Sequence, residues 1–151
     1  MSQPTQMVVA DIHAFLAEPR NVMLAAIRRD GRPQMTPVWF HWDGERFYVA
    51  IPKARRKYTN FKRDPRAQLA FDVDTGYKTV LLDATVEIDE DVESQLGMFR
   101  TIREKYGRRP PADPELLAEL RETERVMLVI TPDKPIDRWT HWGSPSAAIP
   151  G

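Results

Sequence analysis

The chain has 151 residues, 42% of them hydrophobic and 29% charged, which fits one globular domain with a core of its own. Its 22 basic and 22 acidic residues balance, which argues against a protein that coats nucleic acid with its whole surface. The absence of cysteine excludes disulfides, thiolate catalysis and cysteine-bound metal, and it fits a cytoplasmic location. The sequence shows no signal-peptide layout and no apolar run long enough for a membrane span.

The first half of the chain predicts one helix and then a meander of three strands. Apolar residues in 7–18 recur at helical spacing, and Pro19 ends that helix. Two Asp-Gly pairs, Asp30-Gly31 and Asp43-Gly44, are strong signals for tight hairpin turns. The three strands that these turns connect are expected at residues 21–29, 34–42 and 46–51.

The second half predicts further strands with helices inserted late. Residues 89–106 have apolar residues at helical spacing, acids at the start and bases at the end, and Gly107 ends the helix. Asp113-Pro114 predicts the N-cap and first position of a short helix that reaches about residue 122. Strands are expected at 67–73, 78–88 and 125–131, with 136–142 as a candidate extension of the sheet and 143–151 as a loose tail.

This order of elements predicts a mainly β (α+β) fold in a single domain over residues 1–151. Hairpins followed by late helices are typical of an antiparallel β-barrel, here with six or seven strands and three flanking helices. A barrel of that size has little interior room for a ligand. A ligand is therefore expected on its flank or at a subunit boundary.

A basic segment, residues 51–66 with the sequence IPKARRKYTNFKRDPR, follows the predicted meander. It concentrates Lys and Arg with a single acid, while the rest of the chain has an excess of acids. Such like charges repel unless an anion offsets them, and arginine forks suit phosphate or carboxylate. Three interpretations are open: a solvated face, a nucleic-acid patch with Tyr58 and Phe61 interleaved, and a pocket for a phosphorylated cofactor.

The run from Arg20 to Asp72 resembles a known family. Its DGRPQ turn, the PVWF that follows, and Arg55-x-Lys57-x-x-Asn60 with RDPRA resemble the split-barrel flavin-binding fold of pyridoxamine 5′-phosphate oxidase-like proteins. More narrowly they resemble the branch that uses the deazaflavin coenzyme F420. The resemblance implies a split barrel and a homodimer with cofactors in clefts between subunits.

The resemblance also implies which residues hold the cofactor. Arg55 and Lys57 match the positions that grip its phosphate. The other matched or neighbouring positions expected at the cofactor are Thr36, Pro37, Val38 and Trp39 along the ring, Ala50 and Ile51 at the same edge, Lys53 and Arg56 in the basic segment, Asn60 one helical turn after Lys57, and Tyr77 and Lys78 before the long strand. Because Trp39 and Phe40 alternate along a strand, one of the two is expected in the core.

The implied function is an F420-dependent oxidoreductase that passes a hydride to a small conjugated or unsaturated molecule. The alternatives are an FMN-dependent oxidase or reductase of the same fold and a non-catalytic carrier of flavin or haem. The bases beyond Arg55 and Lys57, among them Lys62 and Arg63, suit the long anionic tail of F420 better than the short phosphate arm of FMN. The three histidines have no ligand-like spacing, so no metal site is predicted, and no catalytic side chain stands out. A nucleic-acid partner is not expected.

Overall fold

The computed structural model describes residues 7–72 and 78–143, and one antiparallel sheet dominates them. The helices are α1 (Val9–Ala17), α2 (Arg56–Arg63), α3 (Leu96–Lys105) and α4 (Asp113–Glu122), with a 3₁₀ turn at Ile136–Arg138. The strands are β1 (Val22–Ile27), β2 (Pro33–Val38), β3 (His41–Trp42), β4 (Phe47–Pro52), β5 (Arg66–Asp72), β6 (Lys78–Asp89), β7 (Arg125–Pro132) and β8 (Thr140–Gly143). In this part of the chain no helix is both long and apolar enough to cross a membrane.

The strands follow the order β2-β1-β5-β6-β7-β4-β3, and β8 pairs with β6 outside that path. Every pairing is antiparallel. This architecture confirms the predicted antiparallel split barrel with flanking helices. The described residues form eight strands rather than six or seven, because the strand expected at 34–42 is two strands and the 136–142 segment contributes β8.

The expected three-strand meander is wrong, because the chain leaves the sheet at Trp39 and Phe40. β2 pairs with β1, whereas β3 pairs only with β4, so the two hairpins lie at opposite edges of the sheet. Phe40 is fully buried, and its ring packs edge-on against Phe71 at 4.9 Å. Its backbone N–H donates to the Tyr106 hydroxyl at 3.1 Å instead of to a strand. Because this one ring is buried, β2 ends at Val38, and the chain crosses to the opposite edge of the sheet.

Two apolar cores hold the sheet and helices together. The main core fills the inside of the barrel with alternate residues of its strands, and in β4 these are Phe47, Val49 and Ile51. The second core lies on the opposite side of β4 and β7, where α3 and α4 pack against Tyr48 and Ala50. Both faces of β4 are therefore covered, whereas the outer face of the sheet is exposed at its β2 edge.

Three predicted boundaries are corrected by the structure. β6 continues to Asp89, and α3 begins only at Leu96, because the side chains of Asp89 and Asp91 accept backbone N–H bonds and form turns instead of a helix start. α4 has Ala112 rather than Asp113 at its N-cap. Gly143, expected in the tail, ends β8 and is buried, while 144–151 lie outside the described residues.

Candidate functional site

The basic segment folds as a turn followed by α2. β4 ends at Pro52, and α2 begins at Arg56 and packs on β1 and β6. The side chains that face this packing are Lys57, Asn60 and Phe61, at the spacing of one helical face. One of the three inward residues is therefore a lysine, and the segment is not simply a solvated face.

Two acids neutralise part of the positive charge. Glu90, beyond the end of β6, accepts hydrogen bonds from Lys53 and Lys62 Nζ at 3.0 Å each and from the Tyr58 hydroxyl at 2.9 Å. These bonds hold the pKa of Glu90 at about 2. Asp64 pairs with Arg66 at 2.8 Å, and that contact likewise lowers the Asp64 pKa to about 2. Lys53, Lys62 and Arg66 are therefore compensated within the protein.

Lys57 is not compensated in this way. Its side chain is 8% exposed, and among the described residues it has neither a hydrogen-bond nor an ion-pair partner. Desolvation, and then the positive charge of Arg55, lower its pKa. Arg55 and Arg56 are exposed and also make no ion pair with a described residue. A lysine in a largely buried position without a counter-ion among the described residues is costly, so this position is suited to an external anion.

A cleft of about 730 Å³ runs along α2 between the helix and the β1–β2 turn. Asn60 fixes its floor, because its amide N–H donates to Gln34 Oε1 at 2.6 Å and its oxygen accepts from Arg63 at 3.0 Å. Arg63 also donates to the Ile27 carbonyl. The residues that line the cleft are Arg28, Arg29, Gln34, Arg56, Thr59, Asn60, Lys62 and Arg63. Five of these described residues are cationic, and of these Lys62 is paired with Glu90 and Arg28 with Asp30 at 2.9 Å. Arg29, Arg56 and Arg63 make no ion pair with a described residue, so the cleft attracts anions.

β2 borders this cleft as the edge strand of the sheet. It pairs only with β1 among the described strands, so alternate backbone N–H and C=O groups lack a strand partner. Thr36 lies opposite Leu24 and two residues from Gln34, on the inner face of the strand. Its Oγ1 is buried without a hydrogen-bond partner, the one such side-chain atom in the described part of the chain. The strand expected along the cofactor ring thus offers unused polar groups.

The structure does not bring all the expected site residues together. Of the expected residues, Arg56 and Asn60 line the cleft, whereas Arg55 and Lys57 do not. Ala50 packs in the second core and Ile51 lies in the main core, so only their backbones remain available. Lys78 begins β6 opposite Gly143, and Tyr77 lies outside the described residues. Of the two alternating aromatics, Phe40 is the buried one and Trp39 is 37% exposed.

Several residues of this region were not among the sequence predictions. Arg28, Arg29 and Gln34 line the cleft because the β1–β2 turn lies over α2. Their only sequence signal is that two bases precede the Asp-Gly turn. The contacts of Glu90 with the basic segment were also not predicted, because its partners are 28 or more residues away in sequence. These contacts depend on tertiary packing and not on local pattern.

Known proteins share this fold and sequence pattern. A family model described as pyridoxamine 5′-phosphate oxidase matches residues 8–136. Among solved structures, the chain is similar to an F420 reductase at 28% identity, over 81% of this chain and 93% of that one, with a TM-score of 0.66. In fold it is also similar to a conserved hypothetical protein from Mycobacterium tuberculosis, at 23% identity over 100% of this chain and 98% of that one, with a TM-score of 0.78.

A further structure of similar fold is HutZ, the heme storage protein from Vibrio cholerae, at 19% identity over 89% of this chain and 94% of that one, with a TM-score of 0.69. The relatives of this fold thus include both oxidoreductases and a storage protein. The chain belongs to the pyridoxamine 5′-phosphate oxidase family, which confirms the resemblance seen in the sequence.

Proposed function

Proceeding from that membership, we propose that the protein is an F420-dependent reductase of small conjugated or unsaturated molecules. The observation that carries the proposal is Lys57, a largely buried lysine without a partner among the described residues, on the helix whose residues Arg56, Lys62 and Arg63 line the basic cleft. Proteins avoid burying an unpaired charge unless an anion completes the site. A cofactor phosphate is the anion that the family resemblance assigns to this position.

Lys57 and Arg55 would hold the phosphate. Lys57 would contribute a partly desolvated point charge, and Arg55, next to it at the start of α2, a planar fork. Charge-assisted hydrogen bonds of this type are stronger in a partly dry site than at a free surface. The free edge of β2 would lie along the ring system, where its unpaired backbone groups would supply hydrogen bonds. The donor set therefore fits a flavin-type cofactor.

The cleft along α2 favours F420 over FMN. Arg56 and Arg63 line it on one side and Arg29 on the other without an ion pair to a described residue, while Lys62 and Arg28 are paired with Glu90 and Asp30. The basic surface therefore extends beyond one phosphate. A phosphodiester with a glutamate tail has further carboxylates to occupy that surface, while the ribityl phosphate of FMN does not. Lys53 is better explained by its ion pair with Glu90 than by cofactor contact.

The cofactor, when bound, supplies the hydride, and the protein supplies binding, orientation and exclusion of water. β2 and α2 would hold the cofactor and orient it towards the substrate. We assign the proton that accompanies reduction to solvent, since none of the described residues at the β2 edge is a titratable acid. Orientation by the protein is sufficient for this chemistry.

We also propose a homodimer that completes the site, acting in the cytoplasm. The outer face of β2 and β1 carries Met35, 54% exposed, beside Pro37, Met23 and Ala25. Such an apolar sheet face next to a ligand site is typical of a subunit interface. A second copy placed there would shield the ring from water.

The test is a fluorescence titration of the protein with F420 carrying different numbers of glutamates, and with FMN. We expect F420 to bind more tightly than FMN, affinity to increase with glutamate number, and binding to weaken as salt is added. Tighter binding of FMN would support the flavin enzyme instead. Tight F420 binding with no reoxidation of the reduced form across a panel of quinones, enones and tetrapyrroles would support a carrier.

A further inference from the structure

Resting on the proposed function, we infer that the substrate is a planar conjugated carboxylate, and that it binds to a platform made of Trp39, Tyr106 and Arg108. Trp39 directly follows β2, the strand proposed to lie along the cofactor ring. An acceptor resting on Trp39 would therefore lie beside the end of that ring. The platform is separate from the basic cleft, since none of its three residues lines it.

The aromatic part of the platform is a rigid pair of stacked rings. The Trp39 and Tyr106 rings are 4.5 Å apart between centroids and nearly parallel, at 5°. Stacking covers one face of the indole, yet Trp39 remains 37% exposed. Aromatic rings stack favourably with other flat rings. The remaining surface of Trp39 is suited to a flat conjugated molecule.

Hydrogen bonds to backbone groups fix the position of Tyr106. Its hydroxyl donates to the Arg20 carbonyl at 2.5 Å and accepts from the Phe40 N–H at 3.1 Å. Lys105 adds hydrogen bonds from Nζ to the carbonyls of Leu16 at 3.1 Å and Phe40 at 3.0 Å. These contacts tie the end of α3 to the point where the chain leaves β2. The stack is therefore preorganised and does not depend on a ligand to form.

Arg108 supplies the charge that makes the platform selective. Its guanidinium carbon lies over the Trp39 ring at 5.7 Å from the centroid, a cation–π contact, and the residue is exposed. Gly107, at φ 75°, ends α3, and the Arg108 N–H bonds back to the Arg103 carbonyl at 2.9 Å, which fixes the Arg108 backbone. No described residue forms an ion pair with Arg108. Its fork is free to bind a carboxylate on a molecule that stacks on Trp39.

The test uses 2-naphthoate as the planar carboxylate and 2-naphthamide as its neutral analogue. Calorimetry would measure the binding of each to the protein with and without saturating oxidised F420. We expect 2-naphthoate to bind about tenfold more tightly than 2-naphthamide, because a charge-assisted contact is gained. Arg108→Gln should remove that difference and leave the affinity for 2-naphthamide unchanged. Arg109→Gln, at an exposed arginine with no ring contact, is the matched control and should change neither.

Two outcomes would overturn the inference: equal affinity for naphthoate and naphthamide in the unaltered protein, or an Arg108→Gln variant that keeps the preference. Trp39→Leu should weaken both probes, and unchanged binding of both would overturn the aromatic part. The proposed function is tested separately by F420 affinity, which Arg108→Gln should leave unchanged. Arg108-dependent naphthoate binding without any F420 binding would support the platform and refute the cofactor assignment.

Discussion

Replacing Lys57 by methionine should have opposite effects on stability and on cofactor binding. Methionine has a similar length and keeps the apolar stem packed, but it removes a partly desolvated ammonium that has no partner among the described residues. In the cofactor-free protein the variant should be more stable, because an uncompensated charge no longer has to be desolvated. With a phosphate-bearing cofactor, the same variant should bind more weakly, because the site loses its desolvated charge.

The size of each effect follows from the environment of Lys57. The residue is 8% exposed, so the amine loses part of its hydration, and it gains no carboxylate among the described residues in return. We expect Lys57→Met to raise the free energy of unfolding by about 1 kcal/mol and the melting temperature by about 2–4 °C. Loss of one charge-assisted hydrogen bond to the phosphate should cost about 1.5–3 kcal/mol, or roughly 10–150-fold in affinity.

The two effects are measured by urea unfolding of the cofactor-free protein and by fluorescence titration with F420. Lys62→Met is the matched control, because Lys62 lies on the same helix but is exposed and paired with Glu90. Its stability should change by less than about 0.5 kcal/mol and its affinity by only a few-fold. Destabilisation of the cofactor-free Lys57→Met variant by more than about 1 kcal/mol would refute the reasoning, because it would mean that the ammonium has a structural role.

Two further predictions concern pH. Burial, and then the charge of Arg20, lower the pKa of Lys105 in the folded protein to about 8. Between about pH 8 and 10.5 the unfolded chain therefore binds one proton more than the folded chain. The free energy of unfolding, relative to that of Lys105→Met, should rise by about 2–3 kcal/mol across this range. If urea unfolding gave the same stability difference between the two proteins at every pH in this range, the prediction would be contradicted. The pKa of Glu90 is lowered to about 2, so the small stabilisation that Glu90→Gln removes should be present above about pH 4.5 and vanish as pH falls towards 2. Because Glu90→Gln also frees Lys62, it should tighten F420 binding several-fold at pH 7, and weaker binding would count against the cleft.

Local signals in the sequence predicted most elements because they act over few residues. Pro19 ends the first helix, and the two Asp-Gly pairs form turns in which Gly31 and Gly44 have φ of 86° and 101°. Such backbone angles suit glycine and need no tertiary information. The helix face and strand alternation likewise follow from spacing.

The sequence could not reveal features that depend on distant contacts. The segment 34–42 has a continuous strand pattern, and only the packing of Phe40 against Phe71 and Tyr106 interrupts it. In the basic segment, composition shows an excess of charge but not which bases are free, since that depends on Glu90. Arg55 and Lys57 came from the family resemblance, and the structure adds that Lys57 lacks a partner among the described residues.

The order of the strands has a consequence for how the chain folds. β4, which is complete at Pro52, pairs along its whole length with β7, which ends at Pro132. β1 likewise pairs with β5, which is synthesised later. In the described sheet, the two halves are joined by the pairing of β6 with β7. Contacts so distant along the chain close slowly, and during synthesis the early hairpins have unpaired edges until β7 has left the ribosome. We expect this protein to fold in a late, cooperative step that requires nearly the whole barrel.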